Sequence, residues 1–153
     1  MPRTDTATRV IAAPVETVFA ALVDPDALLT WLPPQGMTGR FERFDGRPGG
    51  SYRLVLTHDD PVEAPGKATA DSDIVEARFV DITRGERIVQ AVDFVSDDPQ
   101  YAGTMTMTWE LAGLAEGTRV TITATDVPRG ISAADHAKGL ASSLANLAAY
   151  AER

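Results

Sequence analysis

The chain has 153 residues, 44% of them hydrophobic, with 14 Lys+Arg against 22 Asp+Glu for a formal charge of −8. That length points to one domain, 1–153, with a sizeable core, and the absence of cysteine excludes a disulfide scaffold, a thiol nucleophile, a Cys-ligated zinc and a Cys-held iron–sulfur cluster. Two histidines leave little for a His-rich metal site, the acidic balance argues against nucleic acid, and no apolar run approaches the ~18 residues of a membrane span.

Met1-Pro2-Arg3-Thr4-Asp5 has no apolar run behind a basic end, so no signal peptide is expected and the cytoplasm is the default compartment. Thr4 to Ile11 is rich in β-branched side chains and predicts a first strand. Pro14 stands at a helix start, and Val15, Val18, Phe19 and Leu22 recur with the spacing of one helical stripe. Asp24-Pro25 stops that helix and caps a second, short one carrying Leu28, Leu29 and Trp31, which Pro33-Pro34 ends.

From Met37 the period changes to two. Residues 37–44 predict a strand, Asp45-Gly46-Arg47-Pro48-Gly49-Gly50 a turn, and residues 51–58 a strand with Tyr52, Leu54, Leu56 and His58 on one face. A polar loop follows to about Ala70. Residues 72–83 and 86–95 predict two more strands around a Thr83-Arg84-Gly85-Glu86 turn, and Pro99 marks the next loop. Thr104 to Glu110 alternates threonine with apolar residues, one wet face and one dry. Its hairpin partner is 117–125, with Val120, Ile122 and Ala124 on the dry side.

The last segment returns to helix. Ser132 and Asp135 resemble a capping box, and His136, Leu140, Leu144 and Leu147 share a stripe. Gly139 lies within it at a cost of about 1 kcal/mol relative to alanine, which suggests a close backbone approach or room left for something else. The predicted architecture is α+β: a curved, largely antiparallel sheet of about six or seven strands, two short helices and a long C-terminal helix. A long helix across a curved sheet encloses a cavity unless bulky side chains fill it.

Several blocks resemble the START-like or SRPBCC superfamily with its helix-grip fold, and within it the family similar to the C-terminal domain of the activator of the Hsp90 ATPase. They are Pro14-Val-Glu-Thr-Val-Phe19-Ala-Ala-Leu22 through Asp24-Pro25 to Trp31; Phe44-Asp45 with Pro48-Gly49-Gly50-Ser51-Tyr52-Arg53; Asp73-Ile-Val-Glu-Ala with Arg87-Ile88-Val89; and Met107-Thr108-Trp109-Glu110 with Gly117-Thr118-Arg119-Val120-Thr121. Where the family often has Gly-Trp in the last helix, this chain has Gly139-Leu140, and the smaller side chain either enlarges the cavity or is repacked. The resemblance implies a helix-grip fold. Its range of functions runs from chaperone-ATPase stimulation through lipid and hormone carriage to cyclases.

The residue types that line an apolar pocket are also those of a plain core. The candidates for the cavity wall are Phe19, Trp31, Tyr52, Leu54, Phe79, Phe94, Met105, Met107, Trp109, His136, Leu140 and Leu144, with Trp31 and the 59–70 loop near an entrance. His136 is the sharpest single residue: facing a cavity it can hydrogen-bond a ligand or act as acid or base, yet no second catalytic partner appears at a fixed spacing. His58-Asp59-Asp60 reads as a solvated turn rather than a cation site. Asp45 to Gly50 lacks the Gly-Lys-Ser/Thr ending of a phosphate loop, and Ser142-Ser143 reads as helix surface. Glu76 and Arg78 read as a solvent-side ion pair, while Gln90 sits mid-strand with its facing undecided.

The expectation is a small-molecule-binding protein with an internal cavity that takes a hydrophobic or amphipathic ligand, with no metal or cofactor and no catalytic residue assigned. A chaperone-directed interaction module and a cyclase- or hydrolase-type enzyme using His136 stand as alternatives, and pairing with a second copy of the chain is left open.

Overall fold

The computed structural model describes residues 3–33, 36–58, 72–94, 99–101 and 103–153. Strand β1 (Thr4–Ile11) leads into helices α1 (Val15–Val23) and α2 (Pro25–Trp31). Strands β2 (Met37–Phe44), β3 (Ser51–His58), β4 (Ser72–Thr83), β5 (Arg87–Phe94), β6 (Met105–Leu114) and β7 (Gly117–Thr125) follow, with a 3-10 turn at Pro99–Tyr101 before β6, and then helix α3 (Ala133–Ala151). The predicted element order holds. β6 runs past the expected Glu110 to Leu114, because pairing with β7 continues through Leu111↔Val120 and Leu114↔Gly117 where the threonine alternation has already ended.

The seven strands form one antiparallel sheet in the order β1-β7-β6-β5-β4-β3-β2. Register shifts at Phe41/Arg43 and Phe79/Asp81 mark bulges, which bend the strands that carry them. The concave face is dry: Leu54, Phe79, Ile88, Met105, Val120 and Ile122 are all buried. The convex face carries the threonines of β1 and β6 and, of β7, Thr121, Thr123 and Thr125, with the Thr8 hydroxyl 3.3 Å from that of Thr121. It also carries a ladder of ions across β2, β3 and β4. There the expected Glu76–Arg78 pair is replaced. Both residues face outward, but Glu76 accepts from Arg43 at 2.8 Å and Arg53 at 2.5 Å. These guanidinium groups stand on the strand across from Glu76 and the strand beyond.

Helix ends follow local chemistry. Asp24 accepts from the Asp26 amide at 2.9 Å to start α2, with Pro25 at its first position. Ser132 accepts from the Asp135 amide at 3.0 Å to start α3. Thr118 is fully buried and donates to the Ala13 carbonyl at 2.8 Å, fixing the β1–α1 corner against β7. The neighbouring Gly117 has φ 145°, and a Cβ there would lie 2.1 Å from the Ile11 carbonyl oxygen. Gly117→Ala should therefore destabilise the chain by at least about 1–3 kcal/mol. A urea midpoint unchanged from the native protein would show that this corner yields instead.

Candidate functional site

α3 makes its closest strand contacts with β1 and also touches α1 and α2. Leu144, Leu147 and Ala148 seal that side. Away from β1, α3 stands off the concave face, leaving a cavity of about 340 Å³ between α3 and strands β3 to β7. Its floor comes from alternate residues of each strand: Tyr52, Leu54 and Leu56 of β3, Val75 of β4, Gln90, Val92 and Phe94 of β5, Met105, Met107 and Trp109 of β6, and Ile122 of β7. Leu32 and Met37 close one end, and His136, Gly139, Leu140, Ser142, Ser143 and Asn146 of α3 form the roof and rim. The volume is roughly twice that of the ~150 Å³ apolar cavity that takes up benzene, and lies within the range of ~300–1,000 Å³ usual for ligand pockets.

Besides Ser142, Ser143 and Asn146 at the rim, two polar points break this apolar lining. Tyr52 hydrogen-bonds Gln90, and both are buried. Burial drives the Tyr52 phenol up to about 12, against a smaller downward pull from Gln90, so it stays neutral across the physiological range. A gap of about 20 Å³ beside them, bordered by Trp31 and Trp109, is the size of one water molecule. The second point is His136, whose Nδ1 lies 2.6 Å from Asp5 Oδ2. Arg3 donates to the same carboxylate at 3.1 and 3.2 Å and to the Ile131 carbonyl at 2.5 Å, tying the start of β1 to the approach to α3.

Burial is the largest influence on Asp5 and pushes its carboxyl up, but the hydrogen bonds and charges of His136 and Arg3 outweigh it and hold the group below its ordinary range. A carboxyl lowered by folding contributes stability that is present above its unfolded value, near 3.8, and is lost as pH falls through the folded value. The urea midpoint should therefore fall more steeply from about pH 5 to about pH 3 for the native chain than for Asp5→Asn. Parallel curves would mean that Asp5 contributes nothing to acid stability.

The family model described as Activator of Hsp90 ATPase homolog 1-like protein matches residues 12–152. The chain belongs to this family. Among solved structures it is similar to protein CV1439 from Chromobacterium violaceum, with 32% identity and a TM-score of 0.85 over 98% of this chain and 97% of that one. It shares its fold with protein NE0264 from Nitrosomonas europaea, at 23% identity and a TM-score of 0.71 over 97% of this chain and 94% of that one. It also shares it with a protein from Arthrobacter aurescens, at 19% identity and a TM-score of 0.79 over 97% and 86% respectively. No curated protein matches the chain.

In this member of the Activator of Hsp90 ATPase homolog 1-like family, the structure brings Tyr52, Leu54, Phe94, Met105, Met107, Trp109, His136 and Leu140 together on the cavity surface. The other four expected wall residues lie elsewhere. Phe79 is fully buried against the rings of Tyr52 and Phe44 and is not among the cavity-lining residues. Leu144 points into the seal between α3 and the rest of the core, and Phe19 packs against that core from α1. Trp31 is 2% exposed, donates its indole N–H to the Ala21 carbonyl at 2.9 Å and meets Trp109 edge-on. It is a core residue rather than part of an entrance, and the 59–70 loop lies outside the described residues.

Other expectations shift in the same way. Ser142 and Ser143, read as plain helix surface, border the cavity mouth with Asn146. Gln90 turns inward at 8% exposure, which its mid-strand position left undecided. Asp5 is not among the residues expected at the site, although period two places it with Ala7 and Ile11, so an acid on the dry face of β1 is the available signal. His58-Asp59-Asp60 runs beyond the described residues. Among the described residues no cluster of three or more His, Cys, Asp or Glu is disposed to hold a metal, and no helix is long and apolar enough to cross a membrane.

Proposed function

We propose that this chain binds a small hydrophobic or amphipathic molecule in the cavity beneath α3. Gly139 carries the reading. It lies within a 19-residue helix, on the cavity rim, and a Cβ built there would meet no atom within 4 Å. A glycine inside a helix costs about 1 kcal/mol relative to alanine. Gly139 is exposed on that rim, and neither close packing nor a left-handed backbone accounts for the cost; on our reading the space is kept for a ligand. Among the described wall residues His136 and Tyr52 are the titratable ones, and Tyr52 is held neutral. Such a lining suits binding with a few orienting hydrogen bonds and supplies no matched acid and base.

A panel of small aromatic and medium-chain aliphatic compounds, read by thermal shift, tests this. Compounds that bind should raise Tm according to concentration, compete with one another, and lose their effect when the cavity is filled from Gly139. The family match supports a second reading, stimulation of a chaperone ATPase through the outer surface. Filling the cavity would leave that activity intact, which separates the two.

A further inference from the structure

We propose that the ligand carries an acidic hydroxyl, a phenol or a carboxylic acid, on an apolar body, and that His136 Nε2 receives it. The inference rests on the binding reading above and names the chemistry of the ligand's polar end.

The argument starts from Asp5. Arg3 and His136 both donate to this carboxylate, and together they keep it ionised. An ionised acceptor 2.6 Å from Nδ1 fixes the hydrogen on Nδ1, whatever the charge of the ring. Nε2, across the ring from Nδ1, is therefore the atom left for a ligand. Among the described residues no hydrogen bond is found for it, and no buried side-chain nitrogen or oxygen lacks a partner, so Nε2 is not fully buried, on a residue that lines the cavity.

In the neutral ring Nε2 is a bare acceptor; in the cationic ring it is a donor. An acidic hydroxyl satisfies both states. It donates O–H to the neutral ring or, having passed its proton to Nε2, accepts N–H as an oxyanion. The proton moves along one hydrogen bond, and the charge it leaves on the ligand faces the charge it creates on the ring. That ring is already backed by Asp5, whose charge Arg3 shares. An ether or ester offers no donor and leaves the neutral Nε2 buried and unpaired, at a cost of ~1–3 kcal/mol.

The body is set by the floor. Gln90↔Met107, Met107↔Ala124 and Ala124↔Asp5 are register partners, so one row crosses four strands from the Tyr52–Gln90 pair to the carboxylate that holds His136. Three strand spacings of ~4.8 Å make that about 14 Å of backbone, with Met107 on the cavity floor and the buried Ala124 between. A bicyclic ring over Met107 is of the length this separation asks for.

The test is titration calorimetry of the native protein with 2-naphthol and 2-naphthoic acid, each set against its own methyl ether or ester. We expect at least one acid to bind about tenfold tighter than its methylated form, and His136→Leu to bring the two within twofold while leaving the methylated compound's affinity unchanged. Which acid shows the preference decides between phenol and carboxylate. Methylated forms that bind the native protein as tightly as the acids, or a preference that survives His136→Leu, overturn the proposal and leave the cavity reading standing. If none of the four compounds binds the native protein, both fail. The native comparison needs no variant, so it stands as the deciding measurement even if His136→Leu does not fold.

Discussion

Gly139→Leu is expected to abolish ligand uptake while leaving the fold at least as stable as before. The two effects have separate causes. Leucine is a far better helix former than glycine, by up to about 1 kcal/mol, and the first atom of its side chain would enter open space. From this exposed rim position the remaining three carbons are expected to lie across the mouth of a cavity of about 340 Å³ that Gly139 borders, where they cover wall that a ligand would otherwise bury. A loss of at least tenfold in affinity should accompany an unchanged or raised Tm. Gly139→Ala separates the contributions, since it takes most of the helix gain with little of the volume. Calorimetry and thermal melts on the three proteins measure both quantities. Undiminished affinity in the leucine variant would place the ligand elsewhere and remove the cavity from the functional account.

Trp31→Ala should behave in the opposite way, as a large loss of stability. The ring is 2% exposed, lies 5.8 Å from the Trp109 ring at 75°, and satisfies the Ala21 carbonyl through its indole N–H. Removing a buried tryptophan costs about 3–5 kcal/mol, a large share of the 5–15 kcal/mol that usually holds a domain together. Urea unfolding followed by far-ultraviolet circular dichroism gives the difference directly. Trp31→Phe should recover part of it, though the Ala21 carbonyl would still lack its donor. A stability change under about 1 kcal/mol, accompanied by weaker ligand binding, would return Trp31 to the cavity wall.

The contrast between these two positions shows what could be read from residue order. Elements were legible because period and punctuation agreed: the threonine alternation of β6 and β7, the Asp24-Pro25 cap and the Ser132 cap each fixed an element end or a facing. Local pattern also placed Tyr52, Leu54, Met105, Met107 and Trp109 on the inner face. It could not say how far from α3 each would lie. Phe79 and Met107 both sit on that face, yet Phe79 packs against the rings of Phe44 and Tyr52, while Met107, between Gln90 on β5 and the small Ala124 on β7, lines the cavity. Depth on a curved sheet depends on neighbours brought in by other strands, and no single strand's pattern carries it. Gly139 was the exception. A glycine in a helix is anomalous by itself, and the two explanations it allowed are separated by one observation, the empty space around its missing Cβ.

The polar end of the cavity has a consequence for how the chain is put together. From β2 to β7 each strand pairs with the next in sequence, so that part of the ladder follows chain order. β1 is different: it pairs with β7, from Thr4↔Thr125 to Ile11↔Thr118, and Asp5 meets His136 across 131 positions of sequence. The orienting contact therefore exists only after the two extremities of the chain have met. A chain clipped of β1 can carry most of the sheet and still have an imidazole with nothing to aim it.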